Sequence, residues 1–225
     1  MNVSIIITCY NREKHVARAI RSAVDQRFPY GTFEVVVVDD HSTDHSREII
    51  ADFGDAVVPV LHEKNLGLPT ARNAGIRKAR GRYVLHLDSD DYIHTDVIAF
   101  EYQFLEHNRD WGAVACDYLL VDEFEHQLSR MSAKTYPIAC GIMFRKDYLI
   151  AIGLYDERML VCEDEELRAR FEQKYTIGHM PLPYYRYTRH DGNLTSDYTR
   201  VDEYRRRLEQ ASSGAPSEVP LSDER

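Results

Sequence analysis

Val84-Leu85-His86-Leu87-Asp88-Ser89-Asp90-Asp91 is the stretch on which the reading of this chain turns. An apolar run of strand character stops abruptly on three carboxylates within four residues. Carboxylates that close repel one another, and burying any of them is costly. A hard divalent cation relieves both penalties, because oxygen ligands suit magnesium, manganese or calcium. If the segment stays extended, Asp88 and Asp90 point one way and Asp91 the other. A solvated turn with Asp at helix-capping positions is the plainer reading of the same letters. The rest of the chain decides between them.

Upstream, three more segments have the same build. Val3 to Ile7 is an unbroken apolar, β-branched run, as in a strand buried on both faces, and ends in Thr8-Cys9-Tyr10-Asn11. Phe33 to Val38 is a second such strand and stops on Asp39-Asp40. Val57 to Leu61 is a third, shorter one. Helical spacing separates them. Arg12 to Val24 places Val16, Ala19, Ile20 and Ala23 on one face. His41-Ser42-Thr43-Asp44 is a cap-rich entry to a helix ending near Phe53. Pro69 suits the first turn of a helix over Thr70 to Ala79, which carries Arg72, Asn73 and Gly75 and is ended by Gly81.

Four strands alternating with helices predict an α/β protein with a doubly wound, mostly parallel sheet and right-handed crossovers. Ligands of such sheets bind beyond the carboxyl ends of the strands. Thr8-Tyr10-Asn11, Asp39-Asp40 and Asp88-Asp90 all follow carboxyl ends, so they are expected on one rim.

The second half changes character. Asp96 to Asn108 reads as a helix and Ala113 to Val121 as a strand, followed by an acidic surface loop at Asp122, Glu123 and Glu125. Tyr136 to Met143 reads as a strand beneath the site, and Arg145 to Ile152 as a short helix ended by Gly153. Cys162-Glu163-Asp164 opens a helix to Lys174. Tyr175 to Tyr187 is strand or loop, Arg189 to Ser196 a polar turn, and Arg200 to Gln210 a last helix. The expected organisation is one domain over 1–210, in two halves, 1–91 and 92–210. Residues 211–225, rich in Ser, Pro and Glu, read as a disordered tail or linker.

The formal net charge of −9 argues against nucleic acid or anionic lipid as a nonspecific partner. The four cysteines show no CxxC spacing and read as reduced thiols. No targeting peptide is expected. No apolar run approaches the ~20 residues of a membrane span, so contact with a membrane would be peripheral.

Taken together, these residues resemble the inverting glycosyltransferase family 2, which has the GT-A fold. The similarity runs from Val3 to about Thr195. Ser4-Ile5-Ile6-Ile7-Thr8-Cys9-Tyr10-Asn11 is similar to its opening strand and turn, with Thr8 where many members have Pro. Glu34 to Asp44 is similar to its second strand and DDxSxD turn, Asn65-Leu66-Gly67 with Ala71-Arg72-Asn73-Ala74-Gly75 to its central helix, Leu87-Asp88-Ser89-Asp90-Asp91 to its DxD segment, and Glu163-Asp164 to its ED motif. A lone DxD is common; five motifs in order are specific.

The resemblance implies a hexosyltransferase with a nucleotide-sugar donor, usually a UDP-sugar, and Mn2+ or Mg2+, with 1–91 as the nucleotide-binding half and 92–210 as the acceptor-side half. Carried over by position, Thr8, Tyr10, Asn11 and Asp39 line the base and ribose, and Arg72 meets the base or the phosphates. Asp88 with Ser89 holds the ribose side, Asp90 ligates the metal with Asp88 beside it, and Asp91 is a second ligand or a helix cap. Asp164 is the general base and Glu163 orients the acceptor or the base. Arg186 or Arg189 contacts the diphosphate, and His190 joins the metal, which favours manganese because imidazole is a softer ligand. The implied acceptor is a saccharide or lipid-linked saccharide in polysaccharide or glycolipid synthesis. The implied setting is cytoplasmic, extending to the inner face of the plasma membrane. Sugar choice is expected around Asp117, Tyr118 and Gly141. Two other readings are a nucleotidyltransferase, which would need a Gly-rich, Arg-containing loop after the first strand, and a silent nucleotide-sugar-binding module. Thr8-Cys9-Tyr10-Asn11 lacks that loop, and both acid motifs are intact.

Overall fold

The computed structural model describes residues 1–159 and 162–190. The expected helix at Arg200 to Gln210 and the tail lie outside them, as does the polar turn beyond His190.

Four strands form the parallel half: β1 (Val3–Cys9), β2 (Phe33–Asp39), β3 (Val58–Leu61) and β4 (Tyr83–Asp88). Their order is β3-β2-β1-β4, all parallel. Helices α1 (Val16–Val24), α2 (Ser46–Ala51) and α3 (Leu68–Lys78) connect them. α1 buries Val16, Ala19, Ile20 and Ala23, the face read from the sequence. It begins at Val16, not Arg12, because residues 12–15 form a turn pinned by bonds to Ser46 Oγ and Asp44 Oδ2. Pro69 sits in the first turn of α3, where its missing N–H costs nothing.

The sheet then turns mixed. Short β5 (Tyr92–Ile93) and α4 (Val97–His107) lead to β6 (Trp111–Val121), β7 (Gln127–Met131) and β8 (Ile142–Arg145). After α5 (Lys146–Ala151) and α6 (Glu163–Glu172) comes β9 (Thr176–Thr188). β8 lies between β4 and β6, antiparallel to both; β9 runs parallel to β6, and β5 pairs with it. The strand expected over Tyr136 to Met143 starts only at Ile142, after Gly141 at φ +68°. β7 has no counterpart in the sequence reading: its five residues are largely exposed and carry no apolar alternation. Pro181 and Pro183 do not break β9. The proline ring removes a ladder donor, and register shifts on β6 around Asp117 absorb the loss.

Alternation along the central strands divides the core. Ile5, Ile7, Val35, Val37, Leu85 and Leu87 pack with α1 and α4 on one face. Ile6, Val36, Val38 and Val84 pack with α3 and α6 on the other. Asp88 continues the face of Val84 and His86 toward α3, whereas Asp39 continues that of Val35 and Val37 toward α2.

Candidate active site

Register fixes the rim. Thr8 pairs with Asp88 across β1–β4, and Cys9 pairs with Asp39 across β1–β2. The three polar clusters therefore share the carboxyl edge of the sheet, as expected. Three non-glycine residues there adopt left-handed backbone: Asn11 (φ +52°), His41 (φ +66°) and Cys162 (φ +57°). Asn tolerates this region; His and Cys hold it at a cost, and such strain gathers at functional sites. Asn11 uses its bend to take the Thr43 N–H on Oδ1 at 2.8 Å, which joins the first two turns.

The strand ends at Asp88, and residues 89–90 turn, so alternation does not carry through the acid cluster. Each carboxylate has its own partners. Asp88, with 30% of its side chain exposed, accepts from Arg72 Nη2 at 3.2 Å. Asp90 Oδ2 meets His190 Nε2 at 3.0 Å and accepts from Arg12 Nε at 3.2 Å. Asp91 is 2% exposed and accepts from Tyr185 Oη at 2.6 Å and the Thr188 N–H at 2.7 Å. Asp91 is thus neither a helix cap nor turned toward solvent; it anchors the end of β9. Burial, then repulsion from Asp90 and Asp88, pushes its carboxyl well above the usual range. Asp88 is also raised by burial, opposed by Arg72 and reinforced by Asp90.

Arg72 lies almost wholly buried. Its Nη1 donates to Glu163 Oε1 at 2.5 Å and its Nη2 to Asp88, and its guanidinium rests 5.4 Å from the Tyr155 ring centre. The side chain expected to meet the base or phosphates instead bridges two carboxylates from opposite halves of the chain. Glu163 is 7% exposed, and its carboxylate is engaged by Arg72 rather than open to contact. Asp164, half-buried beside it, borders a small crevice with Tyr155 and Arg168. Burial first and the Glu163 charge second push its carboxyl up to about 6, against the pull of Arg72. Under the same site His86 is 1% exposed with neither ring nitrogen bonded, and burial and then Arg72 press its pKa down to about 3.

Other expected residues fall as follows. Thr8 and Ser89 are buried at the rim, and Tyr10 is 44% exposed above it. Asp39 is fully buried and paired with Arg47 Nη2 at 2.6 Å, so its carboxylate already has a cation. Arg186 turns back on its own strand, donating to Pro183 O at 2.5 Å, and pairs with none of these acids among the described residues. Asp117 is likewise committed, to His179 at 2.7 Å, Arg130 at 3.2 Å and the Ala133 N–H. Sequence reasoning missed Arg47, His15 and Arg18. The only signal for the last two was a cationic residue at every third position from Arg12. A cavity of about 410 Å³ opens at the opposite end of β4 among Arg82, Arg109, Arg145 and Asp147, away from these acids.

The residues present fit a divalent cation in part. The Asp90 carboxylate and the His190 imidazole meet at 3.0 Å, an oxygen-and-nitrogen pair suited to manganese, while Asp88 is held by Arg72. Among the described residues no three His, Cys, Asp or Glu side chains are arranged to hold an ion by themselves.

A parallel half-sheet with acidic turns at its carboxyl ends, extended by mixed strands, places the molecule among GT-A-type α/β proteins. The model of Glycosyl transferase family 2 matches residues 4–127, more than half of the chain, and the chain belongs to that family. Staphylococcus aureus TarS, a poly(ribitol-phosphate) beta-N-acetylglucosaminyltransferase, is 37% identical over 114 residues, 49% of this chain and 20% of TarS. A Rickettsia prowazekii glycosyltransferase, RP339, is 29% identical over 188 residues, 75% of this chain and 58% of its own length. The chain thus spans from a fifth to little over half of these relatives. The structure of TarS 1–349 in complex with UDP-GlcNAc superposes with TM-score 0.75 at 25% identity, covering 88% of this chain and 61% of that one. A Pyrobaculum calidifontis mannosyltransferase has the same fold, with TM-score 0.74 at 18% identity over 96% of this chain and 66% of its own.

Proposed function

We propose that this chain carries the catalytic site of a metal-dependent, inverting glycosyltransferase that moves a sugar from a UDP-sugar to an acceptor hydroxyl. The observation that carries the reading is the Arg72 bridge, which joins the Asp88 end of β4 to the Glu163-Asp164 start of α6. A donor-side acid and the neighbour of the base candidate, far apart in sequence, are thereby tied to one guanidinium, which supports a reading in which Asp164 serves the same site. UDP as the nucleotide is supported by the likeness to TarS, which was solved with UDP-GlcNAc.

In this reading Asp88 and Asp90, with His190, hold Mn2+ or Mg2+ together with diphosphate oxygens. The bound ion supplies charge neutralisation on the departing diphosphate, so no protein acid is required. Asp164 takes the proton of the attacking hydroxyl. Its raised proton affinity still leaves it mostly ionised at neutral pH, which suits a general base. One displacement inverts the anomeric carbon. Thr8, Tyr10 and Asn11 line the nucleoside, and Asp39 reaches it only after yielding Arg47. The named acceptors of the relatives, TarS and a Bacillus spizizenii poly(ribitol-phosphate) beta-glucosyltransferase, support a surface polymer as the acceptor class. The four cysteines are all free and buried, as a reducing, cytoplasmic setting allows. Among the described residues no helix is long and apolar enough to cross a membrane.

Turnover of UDP-sugars with Mn2+ tests this in the wild type, Asp90→Ala and Asp164→Asn. The proposal requires that Asp90→Ala lose donor binding and that Asp164→Asn bind donor but transfer about 10²–10⁴ times more slowly. No turnover by the wild type, with donor binding intact, would favour the silent binding module.

A further inference from the structure

Arg12, His15 and Arg18 follow one another at three-residue spacing, which brings them toward one face of α1 and its leading turn. All three meet the Asp90 turn or the residue beside it. Arg12 Nε reaches Asp90 Oδ2 at 3.2 Å. The His15 ring stacks on His190, with centres 5.1 Å apart and planes 13° from parallel. Arg18 Nη2 donates both to the Asp90 carbonyl, at 2.7 Å, and to Thr188 Oγ1, at 2.8 Å.

We propose that Arg18 is a positioning residue of the donor site, clamping the Asp90 turn to the end of β9 and so fixing His190 against Asp90. This rests on the reading above, in which Asp90 and His190 face the ion. Thr188 is fully buried, and its N–H is held by Asp91, which also takes the Tyr185 hydroxyl. The β9 end is therefore tied twice to the acid cluster: by the Asp91 side chain and by Arg18 across the Asp90 backbone. His190 comes two residues after Thr188, so that tie sets where its imidazole stands. The Arg18 guanidinium lies over the Tyr92 ring at 4.5 Å, which fixes the direction of the fork. Its remaining arm reaches the half-exposed Glu125 at 3.4 Å, a pair that contributes little. Two bonds to neutral acceptors at the rim, the Asp90 carbonyl and the Thr188 hydroxyl, and one weak surface pair describe a residue that holds the Asp90 turn to the end of β9. Groups that orient metal ligands in this way typically change metal affinity by about 10–100-fold when removed.

Arg18→Met keeps the aliphatic stem against Tyr92 and removes the donors; Arg18→Lys keeps a single charged donor. Two readouts serve: Mn2+ affinity with UDP present, by electron paramagnetic resonance, and amide hydrogen exchange over residues 186–190 without metal. The clamp predicts about tenfold weaker Mn2+ binding in Arg18→Met, an intermediate value in Arg18→Lys, and faster exchange in both. It also predicts that His190→Ala costs less on the Arg18→Met background than on the wild type. Glu125→Gln should stay within about twofold of the wild type. Unchanged exchange in Arg18→Met, or Arg18 and His190 losses that add in full, would overturn the clamp. A wild type that binds no Mn2+ with UDP would overturn the donor-site reading instead, and the exchange result alone would then decide the clamp.

Discussion

Asp164 shows how one carboxylate is tuned by its address. It opens α6, where a helix N-terminus favours an anion, yet burial and the adjoining Glu163 push its pKa up to about 6. A base works only when ionised, so kcat/KM should fall about tenfold per pH unit below about 6 and level off above it. Asp164→Asn should lose that limb; a variant that keeps the same acid limb would mean that another group titrates. Asp164 was singled out by the letters Glu163-Asp164, and Asp88 and Asp90 by the abrupt end of an apolar run. What each carboxylate touches was not. Arg72 read as a ligand contact, because nothing local points to its partner Glu163, which lies 91 residues away. Asp91 looked like its neighbours, and only the arrival of β9 shows it as an anchor.

At the scale of elements, close packing of strand on turn explains a glycine that periodicity read as a helix stop. A Cβ on Gly81 would lie 2.5 Å from the Ser4 backbone N and 2.6 Å from the Val3 carbonyl carbon. The backbone of β1 has nowhere to go without disturbing its pairing with β2 and β4. Gly81→Ala should therefore destabilise the fold by about 1–3 kcal/mol in urea unfolding; a loss below ~0.5 kcal/mol would contradict that packing. The parallel strands were readable because each is a continuous apolar run ending in polar residues. β7 was not, since an exposed strand paired along one edge carries no apolar alternation. β9 was read only as strand or loop, because proline argues against a ladder unless bulges take it in.

For the whole molecule, one buried group bears on stability rather than chemistry. Glu101, on α4 against β6, is fully buried, with Cys116 on β6 its one weak hydrogen-bonding neighbour among the described residues. Burial raises its pKa well above 4.5. The folded state then holds the proton more tightly than the unfolded chain, so stability is intact below pH 4.5 and declines as pH rises toward the folded value. Glu101→Gln, which cannot ionise, should lose that decline: its unfolding free energy relative to wild type should rise steadily from pH 5 to 8. Parallel curves would place the carboxyl in contact with water. The α/β class and the shared rim could be derived from the first 91 residues, whereas the mixed half depends on long-range pairing that no local pattern encodes.

The central claim is that a cation at the carboxyl edge of the sheet joins the Asp88-Asp90 turn to the donor diphosphate, within reach of Asp164. Anomalous scattering from crystals soaked with UDP and MnCl₂ tests it most directly. The account predicts a single strong manganese peak bridging Asp90 and the diphosphate, with the His190 imidazole beside it and Asp164 facing the same hollow. A peak at another edge of the sheet, or UDP bound in that hollow with no manganese, would contradict it.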